Sequence, residues 1–283
     1  IITGIHLWDR EKPERALKSA ARGGQAGPSI AHLWHMPGHI YSRLKRYSDA
    51  VWQQEASSRA DHVHMMRDRV IPDQIHNYAH NQEWMTRNLI NTGRSKDALT
   101  ISANLIEHPR HPLYNTAARR GRSASYGRAR LFQVLQRFEM WDELINLSDT
   151  MYLEPTDIAV EQDKRIRAIG TAQFEKGDST KLLAQLVELQ ARLAQTQNEQ
   201  KAAMDKAEKG ARSEGKPAGE IDKAKSVAGR SFESRIRFLN SAVTELTACS
   251  GLLVGSPETA KTLLDQVNGV DKDRLARLYL RVG

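Results

Sequence analysis

A short helix-turn-helix signal recurs along this 283-residue chain and limits the folds that the chain can adopt. Each copy places a glycine or charged turn a few residues before a small or aliphatic side chain, within segments rich in helix-forming residues. The equivalent positions are Ala50, Ala98, Leu144, Leu182 and Ala260, which are separated by 48, 46, 38 and 78 residues. The last interval spans about two of the preceding ones, so the pattern indicates a helical hairpin that repeats along the chain.

The physical requirements of such a repeat explain its residue types. A glycine or polar residue ends the first helix, an Asp or Ser caps the second, and a small residue lets the two helices pack closely. The turn that contains Gly93, Arg94 and Ala98 resembles that of tetratricopeptide-repeat (TPR) proteins. This resemblance covers nearly the whole chain. It implies an all-α, right-handed TPR-like solenoid of stacked hairpins, with a period longer than the roughly 34 residues of a standard repeat.

Residues 180–248 depart from a short hairpin because two apolar seams continue there over many turns. With spacings of three and four residues, the seams consist of Leu182, Leu186, Leu189 and Leu193, and of Phe232, Ile236, Leu239, Val243 and Leu246. A polar stretch with glycine and proline separates them, which predicts an elongated antiparallel coiled-coil hairpin with its tip near Glu214. We therefore expect TPR-like repeats at 1–179, this hairpin at 180–248, and the start of further repeats at 249–283, as in a fragment of a longer array.

Composition excludes several classes of protein. No apolar run approaches the roughly 18 residues of a membrane span. The single cysteine, Cys249, cannot form an internal disulfide or a thiolate zinc site, and it leaves bacterial cytoplasm and periplasm equally open. The net charge of +8 includes six arginines and no acid between Arg110 and Arg130. Because few aromatic residues interleave them, this segment indicates a solvated loop rather than a nucleic-acid site.

Histidines are concentrated in one part of the chain. Seven of the ten lie between positions 32 and 80: His32, His35, His39, His62, His64, His76 and His80. The first three fall within a 60° arc of one predicted helix at 100° per residue, and His76 and His80 form an i, i+4 pair. Shifting by the 48-residue interval places His80 beside His32. Three segments therefore direct imidazoles toward a common region.

Imidazoles together with carboxylates are typical ligands of transition metals rather than of calcium. Because the two helices of the first hairpin run antiparallel, Asp61 and His62 of the second helix lie level with His32 of the first. The 48-residue repeat interval places Glu83 beside His35. We predict a site for zinc, copper, nickel, manganese or iron. Its ligands are His35, His39, Asp61 and His80, and the candidate additional ligands are His32, His62, His76 and Glu83. A polar groove of mutually hydrogen-bonded histidines, or a pH-sensitive surface, remains open as the alternative.

The segment that begins at His35 also resembles a bacterial subgroup of TPR proteins with a His-Met-Pro-x-His-Ile-Tyr motif. In that subgroup an aspartate follows, and then a His-Asn pair with an aromatic residue, which Asp61, His80-Asn81 and Trp84 match here. Glu83 stands where the pattern has a second histidine. Pro37 either kinks the helix between His35 and His39 or begins it, which would leave His35 in a loop.

Two functions fit these observations. The chain lacks a nucleophile triad, a phosphate loop and a dinucleotide fingerprint, which favours a non-enzymatic TPR-like scaffold that binds a protein or peptide partner. The alternative is a metal-dependent enzyme or metal carrier that uses His35, His39, Asp61 and His80. Glu83 or Asp73 would then be the candidate base beside the ion. The sequence identifies neither a catalytic residue nor an oligomeric state.

Overall fold

The computed structural model describes Asp9 and residues 11–283, and all regular structure within those residues is helical. It contains twelve α-helices and two short 3₁₀ turns there, with no β-strand, which confirms the predicted all-α class. The helices are α1 (Leu17–Ala26), α2 (Ala31–Arg43), α3 (Tyr47–Asp68), α4 (His76–Asn91), α5 (Ser95–Glu107), α6 (Ser123–Arg137), α7 (Trp141–Leu147), α8 (Ala159–Glu175), α9 (Ser179–Ser213), α10 (Ala218–Leu253), α11 (Pro257–Leu264) and α12 (Lys272–Val282). None of these helices is both long and apolar enough to cross a membrane.

The chain forms two compact units, Ile1–Glu154 and Pro155–Gly283. In the first unit, each helix from α1 to α6 packs against the next one in the chain, and α4 also packs against α2 and α6. In the second unit, α8, α9 and α10 pack against one another, and α11 and α12 follow on α10. Packing in both units is therefore mainly between helices that are neighbours in sequence.

The five turns identified from the sequence share one backbone geometry. In each, the residue five positions before the equivalent alanine or leucine has a positive φ between 54° and 76°. These residues are Lys45, Gly93, Glu139, Gly177 and Gly255. The next residue donates its N–H to the carbonyl five positions earlier, as Arg46 does to Tyr41, which is the bond of a Schellman motif. The five equivalent residues are fully buried, because each lies where the second helix meets the first.

The hairpin that carries His35 and His39 consists of α2 and α3. Its first helix begins at Ala31, and its second helix continues to Asp68, six residues past His62. No proline or glycine interrupts α3, so helix propensity can carry it this far. Arg69, with φ of 55°, then ends α3 in the left-handed region.

In the second unit, α9 and α10 are 35 and 36 residues long and are joined by residues 214–217. The chain reverses there, and the two helices pack along each other. Leu182, Leu186 and Leu189 of α9 are buried with Leu239 and Leu246 of α10 in one apolar cluster. These buried leucines are members of the two seams read from the sequence.

Candidate metal centre

Three histidines from two helices each bring one ligand atom to within 4.8 Å of the others: His35 and His39 of α2 and His80 of α4. The His35 ring lies 4.5 Å from the His39 ring and 4.9 Å from the His80 ring, measured between centroids. His35 is buried, whereas His39 and His80 are half-buried. No second group of three His, Cys, Asp or Glu side chains comes this close within the described residues.

Pro37 lies in the middle of α2, so the alternative in which it begins the helix and leaves His35 in a loop is wrong. Proline has no N–H, and the carbonyl of Leu33 therefore loses the helix hydrogen bond that residue 37 would donate. Helix α1 approaches closely at this point. A Cβ on Gly23 would lie 2.8 Å from the Leu33 oxygen and 2.9 Å from Pro37 Cγ, so only glycine fits there.

Gln54 of α3 fixes the orientation and the tautomer of His35. Its Nε2 donates to the His35 carbonyl at 3.3 Å, which leaves Oε1 to accept from His35 Nδ1 at 3.0 Å. Because Nδ1 carries the proton, Nε2 of His35 presents a lone pair. Gly38 makes room for this arrangement, since a Cβ there would lie 2.3 Å from Gln54 Nε2.

His39 faces this lone pair directly. Its Nε2 lies 2.7 Å from His35 Nε2, so His39 donates a hydrogen bond to the neutral His35 ring. The other nitrogen, Nδ1, lies 3.8 Å from Asp9 Oδ2, and the Trp84 ring packs 4.0 Å from the His39 ring. Asp9 was not identified from the sequence. Its Oδ1 is buried and lacks a hydrogen-bond partner in the described structure.

His80 contributes the third imidazole and contains an unsatisfied atom. Its Nδ1 is buried and makes no hydrogen bond within the described residues. The rings of His76 and Tyr126 lie 6.0 Å and 6.1 Å from the His80 ring. Buried polar atoms without a partner are rare in native proteins and often indicate an ion or water that completes the site.

Burial favours the uncharged forms of His35 and His80. It lowers the pKa of His35 from 6.5 to about 4, with a further contribution from the nearby His80 charge. Burial also lowers the pKa of His80, although Glu83 acts in the opposite direction. A neutral imidazole is the form that binds a metal, so burial favours the metal-binding form of His35 and His80.

Asp61 does not join the three histidines. Its Oδ2 accepts hydrogen bonds from Nδ2 of Asn77 and of Asn81, both at 3.0 Å. Asn81 also donates to Ser57 Oγ, which connects α3 to α4. Burial raises the pKa of Asp61, and the two amide hydrogen bonds partly offset that effect. The predicted fourth ligand therefore stands outside the group of ligand atoms that lie within 4.8 Å.

The additional candidates divide into two sets. His32 stacks on His35 with a centroid distance of 5.8 Å, and His76 stacks on His80 at 6.0 Å, so both lie next to the triad. His62 is exposed on α3. Rotation along α3 explains this difference, because Asp61 faces α4 while the next residue turns 100° toward solvent.

The two carboxylates considered as bases already have partners. Glu83 forms an ion pair with Arg130, and Asp73 accepts from the backbone N–H of His111 and from Asn115 Nδ2. The prediction of a solvated arginine segment is wrong at its helical end. Arg128 and Arg130 belong to α6, where Arg128 is buried and donates to the Glu154 carbonyl.

No protein-family model matches this chain, and neither the curated proteins nor the solved structures contain a match to it. The geometry that bears on function consists of three imidazoles that face one another. Burial favours the neutral forms of His35 and His80, and a buried His80 nitrogen has no hydrogen-bond partner among the described residues.

Proposed function

We propose that this chain binds a transition-metal ion through His35, His39 and His80. The observation that supports this most strongly is the convergence of three ligand atoms to within 4.8 Å of one another. Around a tetrahedral ion with bonds of about 2.0–2.1 Å, ligand nitrogens are roughly 3.3 Å apart. Small side-chain rotations are therefore sufficient, and the backbones of α2 and α4 need not move.

The hydrogen-bonded environment of the triad also favours an ion. Metal-binding histidines usually donate their second ring N–H to an oxygen, which fixes the ligand nitrogen toward the metal. Gln54 Oε1 already accepts such a hydrogen bond from His35 Nδ1. When His39 binds through Nε2, its proton resides on Nδ1, which faces Asp9 Oδ2. Asp9 Oδ2 would then accept a hydrogen bond from His39 Nδ1, as Gln54 Oε1 accepts one from His35 Nδ1.

The donor set limits the identity of the ion. Three neutral imidazoles suit zinc, copper, nickel or iron better than magnesium or calcium, which prefer oxygen. The single thiol, Cys249, is fully buried in the second unit, and burial raises its pKa to about 12. Zinc is the first ion to test, because three-histidine zinc sites leave a fourth position for water or another ligand.

A binding role fits these residues better than a catalytic one. A metal-bound water needs a base to accept its proton, and both Glu83 and Asp73 already have partners. We therefore assign the chain to non-enzymatic metal binding on a TPR-like, right-handed helical array. The common geometry of the five turns supports such an array.

Recognition of a protein or peptide partner is the second candidate function. One face of α3 exposes Trp52, Val63 and Met66, with 56%, 63% and 70% of their surface accessible. Apolar residues at helical spacing that remain exposed are typical of a docking face. A Val63→Asp/Met66→Asp double variant should lose proteins that wild type retains from an extract. Leu183→Asp, which changes an exposed apolar residue of α9, is the matched control.

The metal proposal is tested by thermal unfolding of protein made without a histidine tag and stripped by a chelator. Zinc added to about 100 times its dissociation constant should stabilise the fold by about 2.7 kcal/mol. His39→Ala and His80→Ala should abolish this shift while the helical circular dichroism remains. His62→Ala and His64→Ala, two exposed histidines of α3, should preserve it.

Two results would overturn the proposal. The first is an unchanged melting temperature with zinc, copper, nickel, manganese and iron alike. The second is a zinc-dependent shift that persists in both His39→Ala and His80→Ala. In either case the histidines form a hydrogen-bonded polar groove, which is the alternative that the contact between His35 and His39 also fits.

A further inference from the structure

A cleft of about 740 Å³ opens beside α2, α3 and the start of α4. It is lined mostly by apolar atoms, including those of Ile30, Trp34 and Val63. Ile30 and Val63 are 53% and 63% exposed, so they leave apolar surface in contact with water. This volume is within the range of cavities that bind small molecules, which are usually apolar with a few well-placed polar groups.

The polar side chains that line this cleft include His32, His64 and Asn77, and its one acidic side chain among the described residues is Asp61. Both hydrogen bonds described for its carboxylate, from Asn77 and Asn81, end on Oδ2. Both donors are neutral amides, and no Lys, Arg or His forms an ion pair with Asp61 in the described part of the chain. Burial raises the pKa of Asp61, while the two amide hydrogen bonds and the nearby His64 act in the opposite direction.

Positive side chains at the cleft already have carboxylate partners. Arg59 pairs with Glu55 at 2.7 Å, and Arg67 pairs with Asp68 at 2.7 Å. Both guanidinium groups are largely exposed, which places them at the mouth of the cleft rather than at its wall. The buried charge at the cleft that has no ion-pair partner among the described residues is thus negative.

We infer that this cleft binds a small apolar ammonium compound, with its charged nitrogen on Asp61 and its apolar part against Ile30, Trp34 and Val63. An ammonium group would neutralise Asp61 in a partly desolvated position, where a charge-assisted hydrogen bond is stronger than in water. An anionic ligand of the same shape would place a second negative charge beside Asp61. The inference does not depend on the metal site, because Asp61 lies outside the histidine triad.

The test uses three probes of nearly equal shape on the full chain, with chelator present throughout. They are 2-phenylethylamine, the neutral 2-phenylethanol and the anionic 3-phenylpropionate. Binding is followed by fluorine NMR of protein labelled with 5-fluorotryptophan, with the Trp34 signal assigned by its loss in Trp34→Phe. The amine should bind at least tenfold more tightly than either control and should shift the Trp34 signal.

The Asp61→Asn variant tests whether the charge of Asp61, rather than the shape of the cleft, determines binding of the amine. In this variant the amine should lose at least tenfold in affinity while the alcohol binds as before, which also shows that the cleft is still folded. Asp97→Asn removes an equal charge from an exposed site on α5 and should change neither affinity. Equal binding of amine and alcohol, no binding of the amine up to 10 mM or so, or full amine binding by Asp61→Asn would each overturn the inference.

Discussion

Each unit of this protein buries a polar cluster, and the two clusters are completed in different ways. In Pro155–Gly283, Asp163 is fully buried and pairs with Arg192 and Arg235. In Ile1–Glu154, the buried cluster consists of histidines, and Nδ1 of His80 lacks a partner among the described residues. The carboxylate of the first cluster is matched by protein groups, whereas the second leaves a buried ring nitrogen without a hydrogen bond among the described residues.

A second buried carboxylate in Pro155–Gly283 is also paired with two arginines. Glu245 is 1% exposed and pairs with Arg167 and Arg274 through separate oxygens. Burial alone would raise the pKa of Glu245, but the two guanidinium charges outweigh that effect and lower it. These groups join α8, α10 and α12. A buried polar cluster whose charges are matched in this way connects neighbouring helices and gives no indication of a ligand site.

The largest expected loss of stability comes from breaking the cluster of Asp163, Arg192 and Arg235. Asp163→Asn removes the buried carboxylate that Arg192 and Arg235 share and should lower the free energy of unfolding by about 3–5 kcal/mol. Urea denaturation measures this change. Asp97→Asn, which breaks an exposed pair with Arg94, should cost under about 1 kcal/mol. Similar losses in the two variants would contradict the distinction between buried and exposed pairs.

The second prediction concerns acid and the metal-free histidine cluster. Because the pKa of His35 is about 4 when folded and 6.5 when unfolded, the unfolded state binds more protons between those pH values. The contribution of His35 is fully present above pH 6.5 and is lost as the pH falls toward 4. At about 1.4 kcal/mol per pKa unit, the loss is on the order of 3 kcal/mol.

Denaturation at several pH values, in the presence of chelator, tests this linkage. His35→Gln removes the titrating group and should flatten the decline of stability between pH 6.5 and 4. If the wild-type and His35→Gln curves remain parallel through that range, His35 is not held neutral by burial.

The third prediction concerns the support of His35. Gln54→Leu removes the hydrogen bond that orients the ring, and loss of such a contact typically weakens metal binding 10- to 100-fold, or by about 1.4–2.7 kcal/mol. Gly38→Ala should act similarly, because its Cβ would displace Gln54. Isothermal titration with zinc measures both effects. Unchanged affinity in both variants would show that Gln54 does not position the ligand.

The smallest expected change in stability concerns the five turns. Lys45 and Glu139 occupy the left-handed position that glycine occupies at the three other turns. Lys45→Gly and Glu139→Gly should each stabilise the protein by up to about 1 kcal/mol, because the backbone strain is relieved. Gly93→Ala should destabilise it by a similar amount. Thermal unfolding that ranks these variants in the opposite order would contradict the shared turn geometry.

The sequence predicted those features that depend on local chemistry. The turns follow from short-range signals, and the approach of His80 to α2 follows from the repeat interval together with helical rotation. Gln54 and Asp9 were missed, because a glutamine in a helix or an isolated aspartate carries no sign of what it faces. The pairs of Asp163 with Arg192 and Arg235 were missed for the same reason, since a charged residue in a helix usually faces solvent.

X-ray absorption at the zinc edge measures directly whether the three imidazoles meet at one ion. Protein loaded with one equivalent of zinc should show first-shell nitrogen or oxygen at about 2.0 Å and imidazole scattering from three rings. That imidazole signal should decrease by one ring in His80→Ala. A shell of oxygen alone, or an imidazole signal that is unchanged when His35, His39 or His80 is replaced, would contradict the proposed site.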